Sequence, residues 1–285
     1  HTNDPDIELL RQRVLQLKRL GIMHIEILGG EPLLHHDLIK LCSFIRDQNL
    51  NYSIDTNGEF LSRLTLKDLD ALKDCSGIAI SLDAFGKEHD LGRGRTGLFA
   101  KITEGSIWLK ENGIKCSFIG VLNNQNITSL NQLVQYAQSL EIDYLIRPMI
   151  TTNINKNQVP STDLLRNNLK KFNEMPHIIL SGRGSNFSQS ENYESRYYGC
   201  DSRRIINIDT DGNLLLCHMN RSEKLKNIMC YTPDLLLEEL EQAVYRRNAL
   251  QQNCSNCEIN KKGKLIKCAG FCQFSRTFQQ NHQHD

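Results

Sequence analysis

The stretch Ile25-Glu26-Ile27-Leu28-Gly29-Gly30-Glu31-Pro32-Leu33-Leu34 decides how the rest of the chain is interpreted. Alternating apolar and polar residues over positions 24–28 predict a buried β-strand. The pair Gly29-Gly30 then allows the backbone to turn sharply and to approach a ligand closely. Glu31 places a carboxylate at the carboxyl end of the strand, where Pro32 prevents the strand from continuing. This carboxylate suits an ammonium group on a small ligand, although a solvated glutamate in an ordinary strand-to-helix turn has the same pattern.

The composition excludes several classes of protein. The 285 residues are enough for one large domain and one small one. Lys and Arg number 34 against 33 Asp and Glu, a formal charge of +1, so neither nucleic acid nor an anionic membrane surface is indicated as a partner. No apolar run approaches the roughly 20 residues of a membrane span, and no secretory signal is recognisable. We expect a reducing, cytoplasmic setting.

The first 150 residues alternate short apolar runs with longer amphipathic ones. Strands are predicted at 24–28, 52–55, 78–82, 116–122 and 144–146, and helices at 6–20, 38–48, 64–73, 98–112 and 130–140. This alternation is typical of parallel βαβ units. The first helix has no strand before it, so we expect a strand and its loop to precede His1 in the complete protein.

Three regions are predicted along the chain. Residues 1–150 form the βα region, and the polar residues 151–199 form a connector with a helix at 162–172 and a short apolar run at 178–180. Residues 200–285 form a small cysteine-rich domain. In that domain we predict strands at 205–208 and 214–217 around an Asp-Thr-Asp-Gly hairpin, and a helix at 234–250.

Polar side chains follow four of the five predicted strands of the βα region. They are Glu31 after the first, Asp55 to Gly58 after the second, Ser81 to Asp83 with His89, Asp90 and Arg93 after the third, and Arg147 after the last. Any one of them is more often a cap or a surface group than a ligand-binding residue. Because the carboxyl ends of parallel strands meet at one rim, the whole set predicts a site for a polar, zwitterionic ligand.

The cysteines separate into two groups. Cys42, Cys75 and Cys116 fall within predicted elements and are expected in the core, whereas seven cysteines lie between Cys200 and Cys272. Their spacings, Cys200-x11-Gly212-x4-Cys217 and Cys254-x2-Cys257-x10-Cys268-x3-Cys272, predict a metal or iron–sulfur site, since a reducing compartment disfavours disulfides. Spacing alone does not distinguish iron from zinc. Cys230 could be a further ligand or a buried free thiol.

These motifs resemble those of the radical SAM family, in its branch with a C-terminal SPASM or twitch domain. Gly29-Gly30-Glu31-Pro32 is similar to the GGEP motif, and Asp55-Thr56-Asn57-Gly58 is similar to the TNG segment. Ser81-Leu82-Asp83 resembles the SLD segment, and His89-Asp90-x2-Arg93-Gly94 resembles the HDxxRG segment. The cysteine spacings resemble the two SPASM signatures.

The resemblance implies a partial (β/α)6 TIM-like barrel, an α/β fold, followed by a small Cys-rich α+β SPASM/twitch domain. It implies S-adenosylmethionine (AdoMet) as cofactor, a catalytic [4Fe–4S] cluster and one or two auxiliary iron–sulfur clusters. The implied cofactor-binding residues are Gly29, Gly30, Glu31, Pro32, Asp55, Asn57, Ser81, Asp83 and Arg93. The implied auxiliary ligands are Cys200, Cys217 and Cys272 for the nearer cluster and Cys254, Cys257 and Cys268 for the farther one, with Cys230 as a further candidate.

The sequence departs from the family pattern in three places. The CxxxCxxC motif that binds the catalytic cluster is not in the chain, and we expect it immediately upstream of His1. The gap between Cys257 and Cys268 is longer than usual. No cysteine follows Cys272, so the second cluster has an unusual ligand, the protein continues beyond Asp285, or one auxiliary cluster forms.

The activity implied is generation of a 5′-deoxyadenosyl radical that modifies a ribosomally made precursor peptide by crosslinking, epimerisation or backbone excision. The implied partners are the peptide, a separate peptide-recognition protein and an electron donor such as flavodoxin or ferredoxin. One alternative is a radical SAM dehydrogenase or epimerase acting on a sugar or aminocyclitol. Another is a non-catalytic, zinc-stapled scaffold that binds a peptide.

Overall fold

The computed structural model describes residues 4–149, 158, 160, 162–172, 175–180, 206–217 and 220–249. The helices are α1 (Ile7–Arg19), α2 (Leu38–Asp47), α3 (Leu69–Leu72), α4 (Lys87–Arg93), α5 (Leu98–Glu111), α6 (Leu130–Ser139), α7 (Thr162–Leu169) and α8 (Pro233–Ala249). The strands are β1 (His24–Ile27), β2 (Asn51–Thr56), β3 (Cys75–Ser81), β4 (Cys116–Leu122), β5 (Asp143–Pro148), β6 (Ile178–Leu180), β7 (Asn207–Ile208), β8 (Asn213–Cys217) and β9 (Asn220–Asn227).

Strands β1 to β6 form one parallel sheet in sequential order. Helices cross between successive strands, as parallel pairing requires. The predicted α/β fold with a parallel sheet is therefore confirmed, and five of the six strands are those that the sequence predicts. The sixth strand, Ile178–Leu180, pairs with β5 although it lies in the segment predicted to be a connector, so part of that segment belongs to the sheet.

One face of the sheet packs against the helices, and the other face is more polar. Ile54, Ile78, Ile80 and Phe118 are fully buried on the helix side, as is Tyr52. They form the main core with α2, α5 and α6. Because side chains alternate along a strand, Glu26 and Asp55 lie on the opposite face. The prediction that the three scattered cysteines lie in the core is confirmed, since Cys42 and Cys75 are buried and Cys116 is half-buried.

The predicted helix at 64–73 is wrong over most of its length. A short 3-10 turn at Leu61–Arg63 comes first, and only Leu69–Leu72 is α-helical. The carboxylate of Asp68 accepts hydrogen bonds from both the backbone N–H and the hydroxyl of Thr65. This side-chain turn competes with helix formation at the start of the predicted segment.

A second, antiparallel sheet is formed by β7, β8 and β9. The hairpin between β7 and β8 is confirmed, and β9 is an additional strand that the sequence analysis did not predict. Leu214, Ile228 and Leu236 form a second hydrophobic cluster with Leu17 of α1. The second sheet therefore packs directly on the first helix of the chain. No helix within the described ranges is long and apolar enough to span a bilayer.

Candidate active site

Glu31 is held at the carboxyl end of β1 by groups from the end of β2. Its Oε1 accepts a hydrogen bond from the hydroxyl of Thr56 at 2.5 Å, and its Oε2 accepts one from the backbone N–H of Asn57 at 2.7 Å. Oε1 also accepts from the N–H of Leu33, which caps a short 3-10 turn, Pro32–Leu34. A half-buried carboxylate with these donors is fixed in one orientation and retains acceptor capacity for a ligand.

The two glycines before Glu31 leave open space beside it. A Cβ atom built on Gly29 or on Gly30 would meet no atom within 4 Å. Pro32 is buried and begins the 3-10 turn, so the loop is fixed on one side and open on the other. The glycine turn therefore provides room for a ligand to approach the backbone next to the carboxylate.

The turn after β2 is built by Thr56 and Gly58. The hydroxyl of Thr56 accepts the backbone N–H of Gly58, and Asn57 uses its side-chain oxygen to accept the N–H of Glu59. Gly58 has φ +81°, and a Cβ there would lie 2.6 Å from Ile102 Cγ1. Thr56 was not among the predicted cofactor-binding residues, since its motif identified Asn57 and gave no sign of the contact with Glu31.

Asp83, after β3, has partners within the protein for both its carboxylate and its backbone carbonyl. Its carboxylate accepts from the N–H of Val121 at 2.9 Å and pairs with Nη2 of Arg93 at 2.5 Å. Its backbone carbonyl accepts from the side-chain amide of Asn126. Arg93 is 34% exposed along its side chain and keeps further guanidinium donors for a ligand. Ser81 is half-buried at the last position of β3.

His89 and Asp90, the first two residues of the segment that resembles HDxxRG, bond to backbone groups of the protein. Nδ1 of the buried His89 accepts the backbone N–H of Asp83, and burial lowers the pKa of the ring to about 4. Asp90 caps α5 by accepting from Gly97 and Phe99, bonds that lower the pKa of its carboxyl. His89 and Asn126 thus hold the chain that carries Asp83, and sequence analysis gave Asn126 no role.

Asp55 lies on the concave face of the sheet beside Glu26. Burial, and then the neighbouring Glu26, raise the pKa of Asp55 to about 6, while Arg147 on β5 opposes this shift. Glu26 and Arg147 are exposed. The predicted site residues therefore fall into two places, with Glu31, Asn57, Ser81, Asp83 and Arg93 at the strand ends and Asp55 inside the barrel.

The structure locates two of the predicted metal ligands. Cys217 is the last residue of β8 and pairs with Asn220, whereas Cys230 follows the other end of β9 and is an exposed free thiol. Asn213 of β8 pairs with Asn227 of β9 at the end of the hairpin near Cys230. About 13 Å of strand separates this end from Cys217. Cys200, Cys254, Cys257, Cys268 and Cys272 lie outside the described residues.

A cavity of about 560 Å³ lies at the opposite end of the sheet. It is lined by residues at the amino ends of β3 to β6, among them Ser76, Lys115 and His177. None of the motif residues lines it, and in parallel α/β folds ligands bind at the carboxyl ends of the strands. We therefore place the candidate site at the carboxyl ends of β1 to β3, and we call the group formed there by Glu31, Asn57, Ser81, Asp83 and Arg93 the Glu31 rim.

Residues 1–137 match the model of the Radical SAM superfamily. Among curated proteins, the chain is 25% identical over 302 residues to GTP 3',8-cyclase of Pseudomonas fluorescens, covering 92% of this chain and 87% of that protein. It is 28% identical over 138 residues to PqqA peptide cyclase of Rhodopseudomonas palustris, covering 47% of this chain and 36% of that one.

Two solved structures share the fold. Native anSMEcpe with bound AdoMet and Cp18Cys peptide superposes with a TM-score of 0.65 at 16% identity, covering 89% of this chain and 78% of that one. Streptococcus suis SuiB bound to its precursor peptide SuiA gives a TM-score of 0.60 at 18% identity, covering 80% and 58%. The chain thus spans little more than half of SuiB and about a third of the peptide cyclase.

The matched segment contains the glycine turn, Glu31 and the rim residues that follow β2 and β3. The superposition over 89% of the chain shows that the fold is shared. Through residues 1–137, this chain is similar to the Radical SAM superfamily.

Proposed function

We propose that the chain is the core of a radical SAM enzyme that binds AdoMet at the Glu31 rim and modifies a ribosomally made peptide. The observation that carries this proposal is the carboxylate of Glu31, fixed by Thr56 and Asn57 next to an open glycine turn. An anionic acceptor beside exposed backbone suits the ammonium group of an amino-acid cofactor.

The rim residues fit AdoMet by their charges and by the space around them. Glu31 would accept the ammonium, and Arg93 would donate to a carboxylate or ribose hydroxyl from the guanidinium edge that Asp83 does not use. Asn57 and Ser81 would add polar contacts from the ends of β2 and β3. When bound with a reduced iron–sulfur cluster, AdoMet supplies one-electron hydrogen-abstraction chemistry, and the protein orients the reactants and excludes water.

Two predicted cofactor residues take altered roles in this proposal. Asp83 acts through Arg93, because its own carboxylate is committed to Val121 and Arg93. Asp55 lies on the concave face with Glu26 and Arg147, and we assign this face to the substrate rather than to AdoMet. Its mixed charges would select polar groups of the substrate.

The choice of a peptide substrate is supported by the structural neighbours. The superposed structures carry peptides, and PqqA peptide cyclase matches the barrel segment. GTP 3',8-cyclase is the second candidate, because its match extends over 92% of this chain. A purine nucleotide is therefore the small-molecule substrate to compare with a peptide.

The auxiliary site and the partners complete the proposal. We assign Cys200, Cys217, Cys254, Cys257, Cys268 and Cys272 to one or two iron–sulfur clusters in the C-terminal region. An electron donor such as flavodoxin or ferredoxin, a separate peptide-recognition protein and a reducing cytoplasmic location belong to the same proposal.

Anaerobic assay of the reconstituted full-length gene product tests this function. With dithionite and AdoMet, we expect 5′-deoxyadenosine, and its yield should rise when a peptide encoded beside the gene is added. A rise with GTP and none with the peptide would favour the nucleotide alternative. Absence of 5′-deoxyadenosine together with bound zinc would contradict radical chemistry and favour the scaffold.

A further inference from the structure

Helix α1 carries two buried polar side chains on the face that meets the second sheet. Arg13 and Gln16 are 8% and 7% exposed, next to the apolar Val14 and Leu17. Burying a guanidinium or an amide is costly unless its hydrogen bonds are satisfied. The hydrogen-bond partners of these two side chains therefore identify the segments that this face of α1 contacts.

Arg13 contacts the turn between β7 and β8. Its Nη1 donates to the backbone carbonyl of Thr210 at 2.8 Å. Burial lowers the pKa of Arg13, while Asp209 and Asp211 on either side of that carbonyl raise it. The charge that is removed from water is thus compensated by two carboxylates across the interface.

The glycine of the Cys-x11-Gly-x4-Cys spacing lies under this guanidinium. Gly212 has φ +90°, and a Cβ there would lie 3.0 Å from Nε and Nη2 of Arg13. The same Cβ would lie 2.9 Å from the side-chain amide of Asn227, which donates to the carbonyl of Asp211. The glycine is therefore required both by the turn and by the close approach of Arg13.

Gln16 holds the segment after β9. Its Nε2 donates to the carbonyl of Tyr231 at 2.7 Å and to that of Ile228 at 3.2 Å. These carbonyls flank Cys230 at the end of the sheet opposite to Cys217. One helix thus contacts the β7–β8 turn with Arg13 and the segment after β9 with Gln16.

We infer that Arg13 and Gln16 are positioning residues that fix the second sheet, and with it Cys217, on the barrel. The part of this inference that concerns a metal site at Cys217 rests on the proposed function. The docking itself rests on the contacts of α1. Because α1 also packs in the barrel core through Val14, a shift of the sheet relative to the barrel requires these polar contacts to break.

Hydrogen–deuterium exchange of the cofactor-free protein tests the docking. In Arg13→Met and Gln16→Met variants, we expect amides in 206–217 and 220–231 to exchange about tenfold faster, because local opening is easier once the buried hydrogen bonds are gone. Amides of β2 to β4 serve as the internal control for the barrel. The matched controls are Arg19→Met and Gln12→Met, which change exposed residues of the same helix.

A second arm keeps the inference testable if a methionine variant folds poorly. Arg13→Lys retains the charge but loses the planar contact with the turn, and we expect an intermediate acceleration of about threefold. Unchanged exchange in the second sheet in all three interface variants would overturn the docking role.

The metal-site arm uses protein reconstituted with iron and sulfide. The rate at which a chelator removes iron from the C-terminal site should rise about tenfold in Arg13→Met and stay unchanged in Arg19→Met, because looser ligands release metal faster. Faster exchange with unchanged iron loss would overturn the positioning of the metal site. If the wild-type protein holds no iron, the proposed function fails while the exchange result still decides the docking.

Discussion

The hydroxyl of Thr56 lies 2.5 Å from Oε1 of Glu31, although the two residues are 25 positions apart in the sequence. The same hydroxyl accepts the backbone N–H of Gly58 at 3.0 Å. One oxygen atom therefore joins the loop after β1 to the loop after β2. The orientation of the glutamate depends on this contact as much as on its own turn.

Replacing Thr56 with valine should weaken AdoMet binding. The substitution keeps the branched shape that suits a strand but removes the donor to Glu31, and we expect the Kd to rise about five- to tenfold for the loss of one hydrogen bond to a charged group. Calorimetric titration of the reconstituted protein with AdoMet measures the change.

Thr103→Val provides the control for that substitution. Thr103 also bonds through its hydroxyl, to Tyr136 and to the carbonyl of Phe99, but it lies on α5 away from the rim. Its AdoMet affinity should match that of the wild type. Equal affinities for all three proteins would argue against the contact between Thr56 and Glu31.

Gly58→Ala should destabilise the protein by about 2–4 kcal/mol, because a Cβ would clash with Ile102 at a backbone position of positive φ. Gly92→Ala is the matched control. Gly92 lies within α4, where a Cβ meets nothing within 4 Å, and alanine there should stabilise by about 0.5–1 kcal/mol. Urea unfolding of both variants measures the free energies, and similar values would contradict this reading of the turn.

The raised pKa of Asp55 predicts a pH dependence of stability. In the folded protein the pKa of Asp55 is about 6, compared with an ordinary value of 3.8, so folding favours the protonated carboxyl over the carboxylate. The contribution of Asp55 to stability is therefore fully present below pH 3.8 and is lost as the pH rises through about 6. Asp55→Asn should raise the free energy of unfolding by about 1–2 kcal/mol at pH 7.5 and leave it unchanged at pH 4, after allowance for partial exposure.

A second substitution identifies the neighbour responsible. Glu26→Gln removes the charge that adds to the effect of burial, so the transition in stability should move to lower pH. Unfolding free energies measured between pH 4 and pH 8 give both results. A difference between wild type and Asp55→Asn that does not vary with pH would exclude the shifted pKa.

Cys217 and Cys230 should differ in their importance for iron binding. The ligands of one metal centre converge within about 2.3 Å of the metal, whereas the register places these two cysteines at opposite ends of the β8–β9 hairpin. In reconstituted protein, Cys217→Ala should lower the iron bound at the C-terminal site, and Cys230→Ala should retain it. The reverse pattern in iron content and absorbance near 400 nm would reassign the ligand.

The sequence predicted most of the βα region, because its strands are apolar and its helices are amphipathic. It missed β9, since Asn220–Asn227 is mostly polar and its pairing is supplied by β8 rather than by its own composition. It also placed a long helix where Asp68 binds the backbone of Thr65. Local hydrogen bonds of this kind leave little trace in hydrophobic periodicity.

The site was predicted by its motifs, but its internal contacts were not. The spacing indicated Glu31, Asn57 and Arg93 at neighbouring strand ends, and the structure brings these to one rim. Two contacts could not be foreseen, the bond from Thr56 to Glu31 and the support of Asp83 by Asn126. Both join residues from different βα units, whose relative register depends on packing.

The most direct test of the account is the affinity of the reconstituted protein for AdoMet when Glu31 is changed to glutamine. The substitution keeps the shape of the side chain and removes its charge, and we expect the Kd to rise at least about tenfold through the loss of a charge-assisted hydrogen bond. Glu8→Gln, on the exposed side of α1, should bind like the wild type. Equal affinity of the wild-type and Glu31→Gln proteins would contradict the assignment of this rim to the cofactor.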